Sequence, residues 1–316
     1  MREDTLLRIL SKFWNSDEKL LVANGDDAVA IDTGGDDAIL LTVDTSLENV
    51  HFTTNILSFE EIGYRAVASA LSDIAAMGGI PVTVLIDIEI PEFNVQNIES
   101  IYRGINMLKT RFGFSIGGGN IVHGNRWRLT TTIMGRVSKD YILTRTSFKE
   151  GENVYITGDL GRVGFFLKEV SQAQKNTTLF KKLREKFAHP EPRILEMQDL
   201  KANYKIGGAI DISDGLGIDL TRVAFASRVD IIIDLDKIPY VEELNLLMRN
   251  KFDFYISLVS SGEEYEICFS SPEEINHPGV SKIGSVKYGK GNVFGTIGNE
   301  LLNITGLGYD HLSLGQ

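Results

Sequence analysis

The sequence predicts an α/β protein, α+β in its finer pattern, divided into two domains. Three observations carry that expectation. The chain has 316 residues, 43% of them hydrophobic and 24% charged, which is enough for more than one buried core. Short apolar runs bounded by turn residues alternate with helical periodicities along the whole length. Between the alternating pattern of Arg128 to Val137 and the apolar run Val154 to Thr157 lies a polar stretch, Thr144 to Gly151, that reads as a join. The expected division is therefore 1–140 and 141–316.

The charge narrows the partners. A formal net charge of -11, with no Lys/Arg-rich run to offset it, excludes nucleic acid and means that a phosphate ligand would need cations to mediate. The single cysteine, Cys268, stands in an apolar run and reads as a core residue in a reducing compartment. MREDTLLRILSKFW is a short amphipathic helix bearing acids, unlike a signal peptide, and no apolar segment is long enough to span a bilayer. The expected location is cytoplasmic.

In order, Asn24-Gly25-Asp26-Asp27 interrupts the apolar run Leu20 to Ala30. It suits a hairpin or bulge, or a carboxylate pair aimed at a metal. Ala38 to Asp44 is a strand ending in acid and hydroxyl groups, followed by His51 beside Phe52. Phe59 to Met77 is a helix with Ile62, Ala66, Ala70, Ile74 and Met77 on one face. Asp73 lies late in it among Ala, Leu and Ile, where a carboxylate is on a solvated edge, paired, protonated or bound to a cation. Pro81 to Ile90 is a strand and Val95 to Phe112 a helix. Gly117-Gly118-Gly119 suits close approach of amides to a phosphate or a plain tight turn, and no P-loop Lys-Ser/Thr follows.

Beyond the join, Gly158 to Gly161 is a structural turn into a helix from Arg162. Asn176 to Phe187 is a polar helix stopped by His189-Pro190, and Arg193 begins another. Val229 to Asp234 is a strand and Val241 to Met248 a helix. In Ile206 to Val223, Ala209 to Ile212 reads as a buried strand, Ser213-Asp214-Gly215 as a turn, and Leu216, Leu220 and Val223 as a helix stripe. Asp211, Ser213 and Asp214 then sit at the mouth of a sheet, where oxygen ligands suit Mg²⁺; Ser213 or Asp214 would equally cap the helix. Ser261 to Glu266 is an acidic cluster running into the strand Ile267 to Ser270.

The ordered set GDDAV, TVDTSLENVHF, LSDIAAMGG, GGN, RTSFKEGENVYITGDLG, HPEPRIL, IDISDGLGIDL, SGEEYEICF and GYDHL resembles the thiamine-monophosphate kinases, across essentially the whole chain. These belong to a superfamily shared with aminoimidazole ribonucleotide synthetase. The resemblance implies a synthetase-like fold, with the N-terminal mixed sheet forming a barrel across a homodimer and a C-terminal α/β domain. It implies ATP as co-substrate, several Mg²⁺ ions, and transfer of a phosphoryl group to thiamine monophosphate. Matched by motif, Asp27, Thr42, Asp44, Asp73, Asp211 and Asp214 would hold metal. Tyr102, Gly118, Gly119, Arg145 and Ser213 would contact ATP. His51, Glu263 and Tyr309 would contact thiamine monophosphate. The chain departs from the family at Gly-Gly-Asp-Thr, where it has Asn120 and Ile121. Asn120 would keep an oxygen for metal and ATP but lose a charge, which admits another ATP-using synthase or a paralogue of reduced catalysis.

Overall fold

The computed structural model describes residues 3–14, 17–170 and 178–310; the sequence readings at Asn176 and Thr177 lie outside them. The chain builds two mixed sheets in an α+β arrangement. A short helix, α1 (Glu3–Leu10), precedes the first sheet. That sheet comprises β1 (Leu20–Val22), β2 (Val29–Asp32), β3 (Asp37–Leu47), β4 (Ile80–Ile90), β5 (Ser115–His123) and β6 (Arg128–Ser138). Its order is β1-β2-β3-β6-β4-β5, and every pair is antiparallel except β4–β5. A parallel pair needs a crossover, supplied here by α3 (Val95–Phe112). Among the described residues the sheet is open and forms no closed barrel.

The second sheet comprises β7 (Asn153–Thr157), β8 (Ala209–Asp211), β9 (Val229–Asp234), β10 (Ile267–Ser271), β11 (Val280–Tyr288), β12 (Val293–Ile297) and β13 (Glu300–Asn303), in the order β13-β12-β9-β11-β7-β10-β8. Around it lie α4 (Arg162–Val170), α5 (Thr178–Ala188), α6 (Ile194–Asn203), α7 (Leu216–Ser227) and α8 (Lys251–Val259). Cys268 is buried in β10, as its apolar neighbours imply.

One helix joins the halves. α2 (Phe59–Ala76) touches β3, β4 and β6 of the first sheet and β8 and β10 of the second. Its composition fits that position: Ala66, Ala68, Ala70, Ala75 and Ala76 are buried and leave room for neighbours on every side. Its start is fixed by a capping box, in which Glu61 N–H donates to Ser58 Oγ and Ser58 N–H donates to Glu61 Oε2. Glu61 also pairs with Arg184 of α5 at 2.7 Å, tying this end of α2 to the second half. α2 and α3 cross where both carry glycine: a Cβ on Gly104 would lie 1.9 Å from the Glu60 carbonyl oxygen, and one on Gly63 would lie 2.1 Å from that of Ile101.

Two sequence readings change. Gly117, Gly118 and Gly119 form neither a turn nor a loop but part of edge strand β5, where a bulge in the β4–β5 register accommodates them. Gly119 is packed so closely that a Cβ would fall 1.8 Å from the Ile86 carbonyl oxygen. Val241 to Met248 is not an α-helix: Glu242–Leu247 forms a 3-10 helix.

Candidate active site

A cleft of about 680 Å³ opens between the two halves. One wall is the end of β3 with the following turn (Asp44, His51), another is α2, and the third is made by residues 211–214 and 260–265 with Tyr309. Backbone hydrogen bonds lace this third wall together. Glu263 N–H donates to the Ser213 carbonyl at 2.6 Å, Tyr265 N–H to that of Ile212 at 2.9 Å, and Tyr309 N–H to that of Asp214 at 2.8 Å. Three separate segments are thus held as one surface.

At one end three carboxylates converge. Asp27 comes from the β1–β2 connection, Asp73 from the last turns of α2 and Asp211 from the end of β8; one oxygen of each lies within 4.8 Å of the others. Thr42 Oγ1 donates to Asp73 Oδ2 at 2.5 Å. Burial pushes Asp73 and Asp211 well above the usual carboxylate range, and the charge of Asp211 on Asp73, and of Asp27 on both, pushes the same way. Bare anions in this arrangement oppose one another, so protons or a cation must balance them. The buried Oδ2 of Asp27 has no hydrogen-bond partner, although the side chain has no exposed surface. An all-oxygen donor set with an unpartnered carboxylate oxygen fits Mg²⁺.

Arg145 lies behind this cluster. Its guanidinium pairs with Asp27, and its backbone N–H donates to Asp26 at 3.0 Å. Burial first, and then the charge of Asp27, push Asp26 up to about 7, while Arg145 pulls it back. Asp214 pairs with Arg222 at 2.7 Å.

The expectation that Ser213 or Asp214 caps the following helix is corrected. The N-cap of α7 is Gly215, with φ of 124°, and the capping carboxylate is Asp219, which accepts from the Asp214 and Gly215 N–H groups at 3.1 and 3.0 Å. Burial pushes Asp219 up to about 7, although Arg222 holds it down. With the cap supplied from inside the helix, Ser213 and Asp214 are left to face the cleft.

The acidic cluster near the other end divides by side chain. Glu264 Oε1 accepts from the N–H groups of Gly161 and Val163 at 2.8 and 3.0 Å and from Ser261 Oγ at 2.5 Å, so it caps α4. Glu266 is buried against Lys186 and Arg193, each at 2.6 Å. Of the three acids only Glu263 lines the cleft. Glu263 and Tyr265 have φ of 57° and 53°, a left-handed backbone that costs side-chain-bearing residues about 1–3 kcal/mol each and that gathers at functional sites. His51 accepts from Leu47 N–H through Nδ1 at 3.1 Å, which puts the proton of the neutral ring on Nε2.

The cleft therefore gathers Asp44, His51, Asp73, Asp211, Ser213, Asp214, Glu263 and Tyr309, with Asp27, Thr42 and Arg145 connected to them through Asp73 and Asp211. Tyr102 is half-buried on α3, and Gly118, Gly119 and Asn120 are exposed on β5; none of these four lines the cleft. Sequence reasoning missed Arg65, Ser69, Lys168 and Tyr265, which do. Arg65 and Ser69 carry a legible signal, since they precede Asp73 by two turns and one turn on the same helix face.

The chain as a whole is similar to known proteins. Residues 25–137 match the model of the AIR synthase related protein N-terminal domain, and residues 149–279 that of the C-terminal domain. A thiamine-monophosphate kinase of Buchnera aphidicola subsp. Acyrthosiphon pisum is 31% identical over 292 residues, spanning 90% of this chain and 87% of that protein. One of Pyrococcus horikoshii is 31% identical over 324 residues, spanning 100% and 98%. A solved structure of AaThiL complexed with AMPPCP and TMP superimposes with a TM-score of 0.84 at 26% identity, covering 98% of this chain and 97% of that one. The two matched domains and the near-complete coverage of these relatives place this chain in the thiamine-monophosphate kinase family of AIR synthase related proteins.

Proposed function

We propose that this chain transfers the γ-phosphoryl group of ATP to the phosphate of thiamine monophosphate by direct in-line attack, giving ADP and thiamine diphosphate. The observation that carries the reading is the convergence of Asp27, Asp73 and Asp211 at one end of a cleft whose remaining walls offer Glu263, Tyr265, His51 and Tyr309. Relatives named as this kinase, and one seen with an ATP analogue and TMP, supply the substrates. An already ionised phosphate acceptor needs no strong base, and phosphoryl transfer asks mainly for positioning and charge cancellation.

Asp27, Thr42, Asp44, Asp73, Asp211 and Asp214 are assigned to Mg²⁺; when bound, the metal supplies the positive charge that lets two anionic phosphates meet in an acidic cleft. Arg145 holds Asp27 from behind, and Thr42 orients Asp73 by donating to it. Ser213 is assigned to ATP, and His51, Glu263 and Tyr309 to thiamine monophosphate.

Residues 1–140 are assigned to ATP and metal binding and to pairing with a second copy, and 141–316 to a C-terminal α/β domain that adds Asp211, Ser213, Asp214, Glu263 and Tyr309 to the cleft. The outward face of the first sheet supports the pairing, since Val43 and Leu85 are exposed in register on either side of Thr132. A homodimer joined there, its sheets closing a barrel, would let Tyr102, Gly118, Gly119 and Asn120 serve a shared ATP site. ADP release from the purified protein with ATP and Mg²⁺ tests the reaction: it should require thiamine monophosphate and stop on chelation of the metal. Release at the same rate without thiamine monophosphate would overturn the assignment.

A further inference from the structure

Among the described residues, Arg65 is the one cation buried in the lining of the cleft. Its side chain is 3% exposed, yet it stands on the face of α2 that also carries Ser69 and Asp73. Three contacts hold it. Nη1 donates to the Phe187 carbonyl oxygen at 2.5 Å, the guanidinium carbon lies 4.1 Å above the Phe187 ring, and Nη2 meets Glu263 Oε1 at 2.6 Å. The Tyr265 ring centroid is 5.8 Å away. A planar, permanently charged fork stacked on an aromatic ring has little freedom to move, so the carboxylate it holds is fixed as well.

The consequence concerns Glu263. Its carboxylate is 22% exposed, and the ion pair with the buried Arg65 sets the direction it faces. The pair also divides the cleft chemically. Asp27, Asp73 and Asp211 crowd together at one end, and burial with mutual repulsion makes that end call for a cation. At the other end the charge of Glu263 is already balanced, which leaves its carboxylate as a directed hydrogen-bond acceptor for an N–H-bearing organic ring.

Resting on the kinase reading, we propose that Arg65 is a positioning residue for the thiamine end of the acceptor: it orients Glu263 and balances its charge, so that this carboxylate receives an N–H donor of the substrate rather than a metal ion.

The test compares R65M, which keeps much of the packing on Phe187 without the charge, R65K, E263Q and the double variant R65M/E263Q. For each, KM is measured separately for thiamine monophosphate and for ATP, and thiamine monophosphate binding by calorimetry. Loss of a hydrogen bond to a charged group corresponds to roughly 10–100-fold in affinity, so R65M should raise KM and Kd for thiamine monophosphate by at least about tenfold while KM for ATP moves less than about twofold. R65K, which has one ammonium for two acceptors, should raise them by less. The double variant should match E263Q alone, because Arg65 acts through Glu263.

Multiplicative effects of the two substitutions, or equal rises in both KM values, would overturn the inference. Should R65M not fold, R65K decides by the same split between the two substrates. Wild-type protein run alongside separates the two readings: wild type without thiamine diphosphate formation defeats the kinase assignment, whereas an active wild type with an unchanged R65M defeats only the role of Arg65.

Discussion

Asp211 shows at the scale of one residue how the site and the fold compete. It is 2% exposed, and burial together with the charges of Asp27 and Asp219 raises its proton affinity. Replacing it by asparagine keeps the shape and removes the repulsion. Asp211→Asn should therefore raise the melting temperature of the metal-free protein while lowering turnover by at least about a hundredfold, since a metal carboxylate is lost from the transition state. Calorimetric scans and a product assay on the same preparation check both halves.

Titration follows the same logic. Asp26 and Asp219 are each raised from 3.8 to about 7, so each keeps a proton in the folded state that the unfolded chain has already lost. Between roughly pH 4 and pH 7 the unfolded chain binds fewer protons, and these groups make the metal-free protein less stable as pH rises. Because Mg²⁺ competes with protons for carboxylates, the rise in melting temperature on adding it should be larger at pH 7.5 than at pH 5.5. An equal rise at both would contradict the assignment of the cluster to metal.

At the scale of elements, α4 and the α2–α3 crossing make separate claims. Glu264 satisfies two N–H groups at the start of α4 from a distant loop, so Glu264→Ala should destabilise the protein by about 1–3 kcal/mol in denaturant titrations without altering KM for ATP. Gly104→Ala places a methyl against the Glu60 carbonyl and should cost about 1–3 kcal/mol by forcing the helices apart.

Much of this layer was legible in the sequence: the 3.6-residue period fixed α2 and α3, and alternation fixed β6. What was hidden was tertiary. The run SGEEYE cannot say that Glu264 turns to cap one helix, Glu266 enters a buried ion cluster and Glu263 faces the cleft, because left-handed backbone at Glu263 and Tyr265 sends neighbouring side chains in different directions. Ser-Asp before a helix suggested a cap, but Asp219 reached back first. Three glycines suggested a tight turn or a phosphate cradle, but an edge strand with a bulge uses them equally well.

Across the whole molecule, the cleft exists because α2 is shared by both sheets and brings Asp73 from the first half to Asp211 from the second. Motif resemblance named those two acids; only their convergence makes them one site. The exposed Val43 and Leu85 carry the account of assembly. Leu85→Asp should convert a dimer to monomers in sedimentation and lower turnover with it, and a dimer that survives would move the interface elsewhere.

The central claim, phosphoryl transfer at the Asp27–Asp73–Asp211 end of the cleft, is tested most directly by phosphorus NMR of the wild-type protein and Asp211→Asn with ATP, Mg²⁺ and thiamine monophosphate. The account predicts resonances of thiamine diphosphate and ADP growing together with wild type and absent with the variant. Orthophosphate without thiamine diphosphate, or equal product from both proteins, would contradict it.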